Sequence, residues 1–237
     1  AVKMVGAVGN DAFAGEALAL LRDGRVDLSK VRTAETATGI ASILVGADGE
    51  NIIAVVPGGN GEVNEDDVAA AGLAAGDYLL LQHEIPLGTV EAALTAARQT
   101  SAISLLNTAP FRKEAAGLLG KADYVIANET EFDLYAEALC LGGADREARM
   151  RDFAETTGRT VVVTLGAEGV VAATPTDFLR AEGLTIDPVD TVGAGDTFCG
   201  YLAASLASGL NLADALRRAA VAGSLACLKP GAQPAIP

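Results

Sequence analysis

Tryptophan is absent from this chain of 237 residues, aromatic residues make up 4% of it, and His83 is its single histidine. One histidine excludes a histidine-based triad and a histidine-rich metal site, and His83 is assigned no catalytic role. The three cysteines, Cys140, Cys199 and Cys227, are odd in number, far apart and set in apolar sequence. They fit no metal spacing and read as small packed hydrophobes in a reducing compartment. Basic residues are scarce: 17 Lys and Arg face 31 Asp and Glu, a formal net charge of −14. That argues against nucleic acid and against an anionic membrane surface as partners. No apolar run approaches the ~20 residues that span a bilayer, and a cytoplasmic setting is expected. The chain starts on Ala1-Val2-Lys3, directly at a strand-like run, and stops at Pro237, the pattern expected of a chain cut at both ends.

What is present is an apolar half: 50% of residues are hydrophobic, enough for one sizeable core of Ala, Leu, Val and Ile. A single α/β domain over 1–237 is expected. Lys3 to Val8 reads as a strand, and Gly9-Asn10-Asp11 as the turn into a helix from Ala12 to Leu21. Two β-rich runs, Gly39 to Val45 and Asn51 to Val56, flank Asp48-Gly49, a dipeptide that favours a tight hairpin, so 38–56 is read as a partial β lid. From Asp77 onward short apolar strands alternate with amphipathic helices. That alternation implies a mostly parallel central sheet covered on both faces, with extra strands at Gly169 to Ala173 and Phe178 to Leu184. Two apolar helices, Thr197 to Ser208 and Leu212 to Leu228, close the chain.

In open sheets of this kind ligands sit beyond the carboxyl ends of the parallel strands. Polar residues gather at those exits: Gln82-His83-Glu84, Asn107-Thr108-Ala109-Pro110, Asn128-Glu129-Thr130-Glu131 and Thr164-Leu165-Gly166. The stretch Asp190-Thr191-Val192-Gly193-Ala194-Gly195-Asp196 then enters an apolar helix through small residues that leave peptide N–H groups uncovered, which suits an anion. Asp196 adds a carboxylate at the same place, which repels a phosphate but serves a group that must lose a proton. Each feature has a plainer reading. Asp196 could be a helix cap, Asn128 and Glu131 have the spacing of a capping box, Thr164 to Gly169 could be a turn, and Glu84 a solvated acid.

Together, Asp190-Thr191-Val192-Gly193-Ala194-Gly195-Asp196-Thr197-Phe198, Asn128-Glu129-Thr130-Glu131 and Gly231-Ala232-Gln233-Pro234 resemble the ribokinase family of carbohydrate kinases, and the likeness runs over almost the whole chain. The resemblance implies a ribokinase-like three-layer α/β/α sandwich with a small β lid hairpin, and ATP-dependent phosphorylation of the 5-hydroxyl of D-ribose. It implies Asp196 as the base, which also contacts the sugar, and an anion hole from the N–H groups of Gly193, Ala194, Gly195 and Asp196. Glu84 would bind a sugar hydroxyl, Asn128, Thr164 and Gly166 the nucleotide, and Glu131 Mg²⁺. Asp190, with carbonyls near Val192 and Gly231, would hold an activating monovalent cation such as K⁺. Ala235 stands where the family often carries Ser. A first strand, a sugar-binding aspartate, a Gly-Gly-Lys-Gly-Ala-Asn stretch and a C-terminal helix of the family have no counterpart here, so weak or absent ribose phosphorylation is expected of the chain as given. A homodimer through the lid is the implied assembly. Fructokinase, 2-keto-3-deoxygluconate kinase and a non-catalytic nucleotide-binding remnant are the competing readings.

Overall fold

The valine-rich strand Thr160–Thr164 shows how these residues become layers. In the computed structural model, which describes residues 1–45 and 51–237, Val162 joins a core cluster with Phe198, Leu202 and Leu216, while Val161 lines a small apolar void with Phe132, Tyr135 and Phe153. Successive side chains of a strand point to opposite faces, so a strand buried on both sides must be apolar at every position. The chain forms two compact units, Ala1–Gly72 with Glu84–Ala96, and Leu73–His83 with Ala97–Pro237.

In the first unit β1 (Lys3–Val8) pairs in parallel with β2 (Asp27–Thr33) through α1 (Ala12–Asp23), whose N-cap Asp11 accepts the Ala14 N–H. β3 (Ile40–Val45) and β4 (Asn51–Val56) pair antiparallel, from Ile40 opposite Val56 to Val45 opposite Asn51. The expected Asp48-Gly49 turn lies outside the described residues. α2 (Glu65–Ala71) starts with a capping box between Asn64 and Asp67. α3 (Leu87–Thr100) begins in this unit, where the Thr89 hydroxyl donates to the Val63 carbonyl at 2.7 Å. The β2 and α2 elements have no counterpart in the sequence reading. β2 buries no residue fully, so it carries no apolar stripe to announce it.

The second unit is a six-stranded sheet in the order β10-β9-β8-β7-β6-β5. Its strands are β5 (Tyr78–Leu81), β6 (Ile103–Asn107), β7 (Tyr124–Asn128), β8 (Thr160–Thr164), β9 (Val170–Ala173) and β10 (Phe178–Ala181). β5 to β8 are mutually parallel, and β9 and β10 are added antiparallel. α4 (Ala116–Leu119), α5 (Glu129–Ala138) and α6 (Arg146–Thr157) precede α7 (Ala194–Ala207) and α8 (Leu212–Ala226). Leu105, Ile126, Val162 and Ala172 pack with α7 and α8 on one face of the sheet. Val125, Ala127 and Val161 line the void with Phe132 of α5 and Phe153 of α6 on the other. This is the expected three-layer α/β/α build, with the sheet's parallel strands all ending on one side.

Two further expectations are corrected. α7 begins at Ala194 and not at Thr197, because Gly193 takes a left-handed φ of 76° and turns the chain into the helix three residues earlier. Cys199 and Cys227 are buried as expected, but Cys140 is exposed. It follows the end of α5 with φ 54°, a turn conformation that leaves Leu139 and Leu141 half-buried against the small apolar void and Cys140 outside.

Candidate active site

The carboxyl ends of three neighbouring parallel strands carry Asn107 (β6), Asn128 (β7) and Thr164 (β8), with Asn128 in register with Thr164. These three residues line a cavity of about 150 Å³ together with Glu131, Gly195, Asp196, Phe198 and Cys199. The crossovers between parallel strands leave their carboxyl ends open to a ligand, which is why polar residues gather there.

α7 supplies the second wall. Its N-cap is Gly193, and no side chain caps the helix, so the plainer reading of Asp196 as a cap does not hold: Asp196 is in the first turn. The Ala194 N–H donates to the Thr191 carbonyl at 3.3 Å. The N–H groups of Gly195 and Asp196 have no carbonyl four residues back inside the helix, and they sit at its positive end. Gly193 and Gly195 are glycines for different reasons. A Cβ on Gly193 would lie 2.9 Å from Ala232 Cα, whereas one on Gly195 would meet no protein atom. Gly195 is exposed and lines the cavity.

Asn128 and Glu131 form the capping box that their spacing predicts. The Asn128 side chain accepts the Glu131 N–H at 2.8 Å, and Glu131 Oε2 accepts the Asn128 N–H at 3.1 Å, a complete capping box on α5. Both residues also line the cavity. Thr164 is at the mouth, its hydroxyl 3.5 Å from the Ala127 carbonyl. Gly166 has φ 54° and open space where a Cβ would be.

Asp190 is tied by two backbone donors, Val192 N–H to Oδ1 at 3.0 Å and Gly231 N–H to Oδ2 at 2.8 Å. These bonds hold its carboxyl below the usual carboxylate range. They also join the entrance of α7 to the segment that carries Ala232, so Asp190, Val192 and Gly231 meet through N–H groups. Glu84 is exposed and opens the Glu84–Ala96 stretch of the first unit; it is not among the residues of this cavity.

His83 is not among the cavity's lining residues. It is 1% exposed, and Nδ1 lies 3.1 Å from the Thr108 carbonyl and 3.4 Å from that of Pro110. Two facing carbonyls require the proton on Nδ1, which leaves Nε2, a buried atom with no partner, as a bare acceptor. Burial pushes its pKa down, and its bonds to the Thr108 and Pro110 carbonyls tie it to the loop after β6. The sequence reading missed Cys199 as a cavity residue. Burial and the Asp196 charge push its thiol up to about 12, so it is an uncharged wall.

Among the described residues no group of three or more His, Cys, Asp or Glu could hold a metal ion alone. Mg²⁺ keeps several waters and takes one or two carboxylates plus substrate phosphates, a demand that Glu131 fits. Carboxylate and carbonyl oxygens around Asp190, Val192 and Gly231 are the donor type a hard monovalent cation takes.

A helix end open to an anion, with a carboxylate in its first turn and a cavity at the ends of parallel strands, offers what a phosphotransferase asks for, alignment and charge stabilisation. A family model described as pfkB family carbohydrate kinase matches residues 1–237, and the chain belongs to that family. It is 32% identical over 234 residues to a ribokinase of Staphylococcus aureus (strain COL), covering 97% of this chain and 77% of that protein. A ribokinase structure from Thermotoga maritima superposes with TM-score 0.87 at 27% identity, covering 99% of this chain and 77% of the other. A ribokinase from Arabidopsis thaliana, complexed with ribose and ATP, gives TM-score 0.85 at 28% identity, covering 99% and 78%.

Proposed function

We propose that this carbohydrate kinase transfers the γ-phosphoryl group of ATP to the 5-hydroxyl of D-ribose, with ribose 5-phosphate and ADP as products. The observation that carries the reading is that Gly195 and Asp196, in the uncapped first turn of α7, share one cavity with Asn128, Glu131 and Thr164. Asp196 accepts the hydroxyl proton as the sugar oxygen attacks phosphorus and the bond to the ADP oxygen breaks. The N–H groups at the start of α7 stabilise the charge that gathers on the phosphoryl oxygens in flight. Phosphoryl transfer asks chiefly for alignment and charge stabilisation, so no basic side chain is required.

Asn128, Thr164 and Gly166 bind the nucleotide, Glu84 binds a sugar hydroxyl, and Glu131 holds the water shell of Mg²⁺. When bound, Mg²⁺ would supply positive charge against the nucleotide phosphates. Asp190, Val192 and Gly231 hold a monovalent cation that keeps the entrance of α7 in place. The sequence identity to ribokinases supports ribose as acceptor.

The test is ADP release from ATP with ribose, fructose, 2-keto-3-deoxygluconate or adenosine as acceptor, each with K⁺ and with Na⁺. Preference for ribose, raised by K⁺ and at a low rate, is the expected result. Preference for fructose or 2-keto-3-deoxygluconate refutes the acceptor assignment, and nucleotide binding without any transfer leaves the chain a binder.

A further inference from the structure

Glu131 has more support than a capping box provides. Thr108 follows β6 and is fully buried, at 0% exposure, and its hydroxyl donates to Glu131 Oε2 at 3.1 Å. Its backbone is fixed on both sides: the N–H donates to the Ile126 carbonyl at 2.8 Å, and the carbonyl accepts from His83 Nδ1 at 3.1 Å. The Asn128 N–H, from the end of the neighbouring strand, donates to the same Oε2. Two donors from two strand ends therefore converge on one oxygen of the carboxylate. They set its plane and leave Oε1 as the oxygen for a further ligand. A cap alone does not need Thr108, since Asn128 already closes the box.

We propose that Thr108 is a positioning residue for Glu131, its buried hydroxyl holding the carboxylate in the orientation in which Oε1 receives the hydrated Mg²⁺ that accompanies the nucleotide. The inference rests on the reading that Glu131 serves Mg²⁺. Carboxylates that face a metal are commonly oriented by such hydrogen bonds, and removing the partner typically weakens metal affinity. A hydroxyl donor also disperses part of the carboxylate charge without cancelling it. That suits a group which must attract a cation while two carboxylates, Glu131 and Asp196, line one cavity.

The whole chain is used for the test, in the forms wild type, Thr108→Val, Thr108→Ala, Thr108→Ser and Glu131→Gln. Calorimetry measures ADP affinity with Mg²⁺ and with EDTA, and Mn²⁺ binding to the ADP complex is followed by electron paramagnetic resonance. Thr108→Val and Thr108→Ala should each lose about 10-fold of the metal-dependent gain in ADP affinity, with affinity in EDTA unchanged. Thr108→Ser keeps the hydroxyl and should restore the gain. If the valine or alanine variant lowers the thermal midpoint but keeps the full gain, Thr108 is only a buried hydroxyl and the proposal is overturned. Should one of the two fail to fold, the other with the serine variant still decides. If Glu131→Gln also keeps the full gain, or the wild type has none, the reading of Glu131 itself fails.

Discussion

The two glycines at the entrance of α7 make opposite predictions for the same substitution. Gly195 is the second residue of a 14-residue helix, and an added Cβ meets no protein atom. Gly195→Ala should therefore leave the fold intact and gain up to about 1 kcal/mol from helix propensity, a rise of roughly 0–4 °C in the thermal midpoint for a chain of this size. The new methyl group is added to a residue that lines the cavity of about 150 Å³, next to the N–H groups assigned to the phosphoryl oxygens. Displacing the group in flight from those donors should cost about 100-fold in turnover, the scale of losing one preorganised donor. At Gly193 the φ of 76° costs a non-glycine residue about 1–2 kcal/mol. The contact at 2.9 Å with Ala232 Cα adds an overpacking penalty of about 1–3 kcal/mol. Gly193→Ala should lower stability by about 2–5 kcal/mol, the sum of those two ranges. Chemical unfolding and coupled ADP-release assays on both variants give the comparison. Normal turnover in Gly195→Ala would show that nothing reacts in front of that peptide, and an unshifted midpoint in Gly193→Ala would refute the packing argument.

Asp196→Asn keeps shape and removes the base. Turnover should fall at least ~100-fold, in line with general-base contributions, with ATP affinity nearly intact, and near-normal turnover would rule out the base assignment. Glu62 accepts the N–H groups of Thr36 at 2.8 Å and Glu35 at 3.1 Å, and with the Thr36 interactions leading and Arg32 adding to them its pKa falls to about 2. A carboxyl whose folded value is depressed stabilises the fold above its unfolded value of 4.5 and loses that contribution as pH falls towards 2. The difference in unfolding free energy between wild type and Glu62→Gln should be constant above pH 5 and shrink below it; a difference flat down to pH 3 would sink the assignment. At the opposite end of the sheet from the cavity, Asp123 accepts from the Ser104 N–H and hydroxyl, both at 2.9 Å, and from Arg159 at 2.7 Å. Asp123→Ala should cost about 2–4 kcal/mol, read by urea unfolding, and leave nucleotide affinity unchanged.

How legible the molecule was depended on whether a residue's role is local. β7 and β8 are apolar at every buried position, and β6 at all but Ser104 and Asn107, so their runs and their polar exits could be read directly, and with them Asn107, Asn128 and Thr164. β2 shows no buried stripe, and its pairing with β1 is a matter of register across the intervening α1. The start of α7 was set three residues late because Gly193-Ala194-Gly195 has poor helix propensity. What makes those residues helical is tertiary: the left-handed Gly193 packed on Ala232 and the two backbone donors that pin Asp190. That shift changed the chemistry, since it moved Asp196 from a cap to an uncapped first turn. The bond from Thr108 to Glu131 joins residues 23 apart across two strands, and no spacing rule reports such a pair.

The acidity of the chain then acquires a consequence at the site. With a formal charge of −14 and a cavity lined by Glu131 and Asp196 but by no Lys or Arg, free ATP meets repulsion and only backbone dipoles in return. Helix N-termini contribute on the order of 1 kcal/mol each to anion stabilisation, too little to offset several phosphate charges against two carboxylates. Nucleotide affinity must therefore depend on the cation that arrives with it. Glu131 fits this logic as an attractor for hydrated metal. Asp196, free of a capping bond, can take a proton and so lose its charge as phosphate charge shifts towards the leaving group. In the proposed mechanism the same two carboxylates that oppose binding of bare nucleotide favour the metal-bound form and the proton transfer, which is how an acidic protein without basic groups at this cavity would carry out phosphoryl transfer.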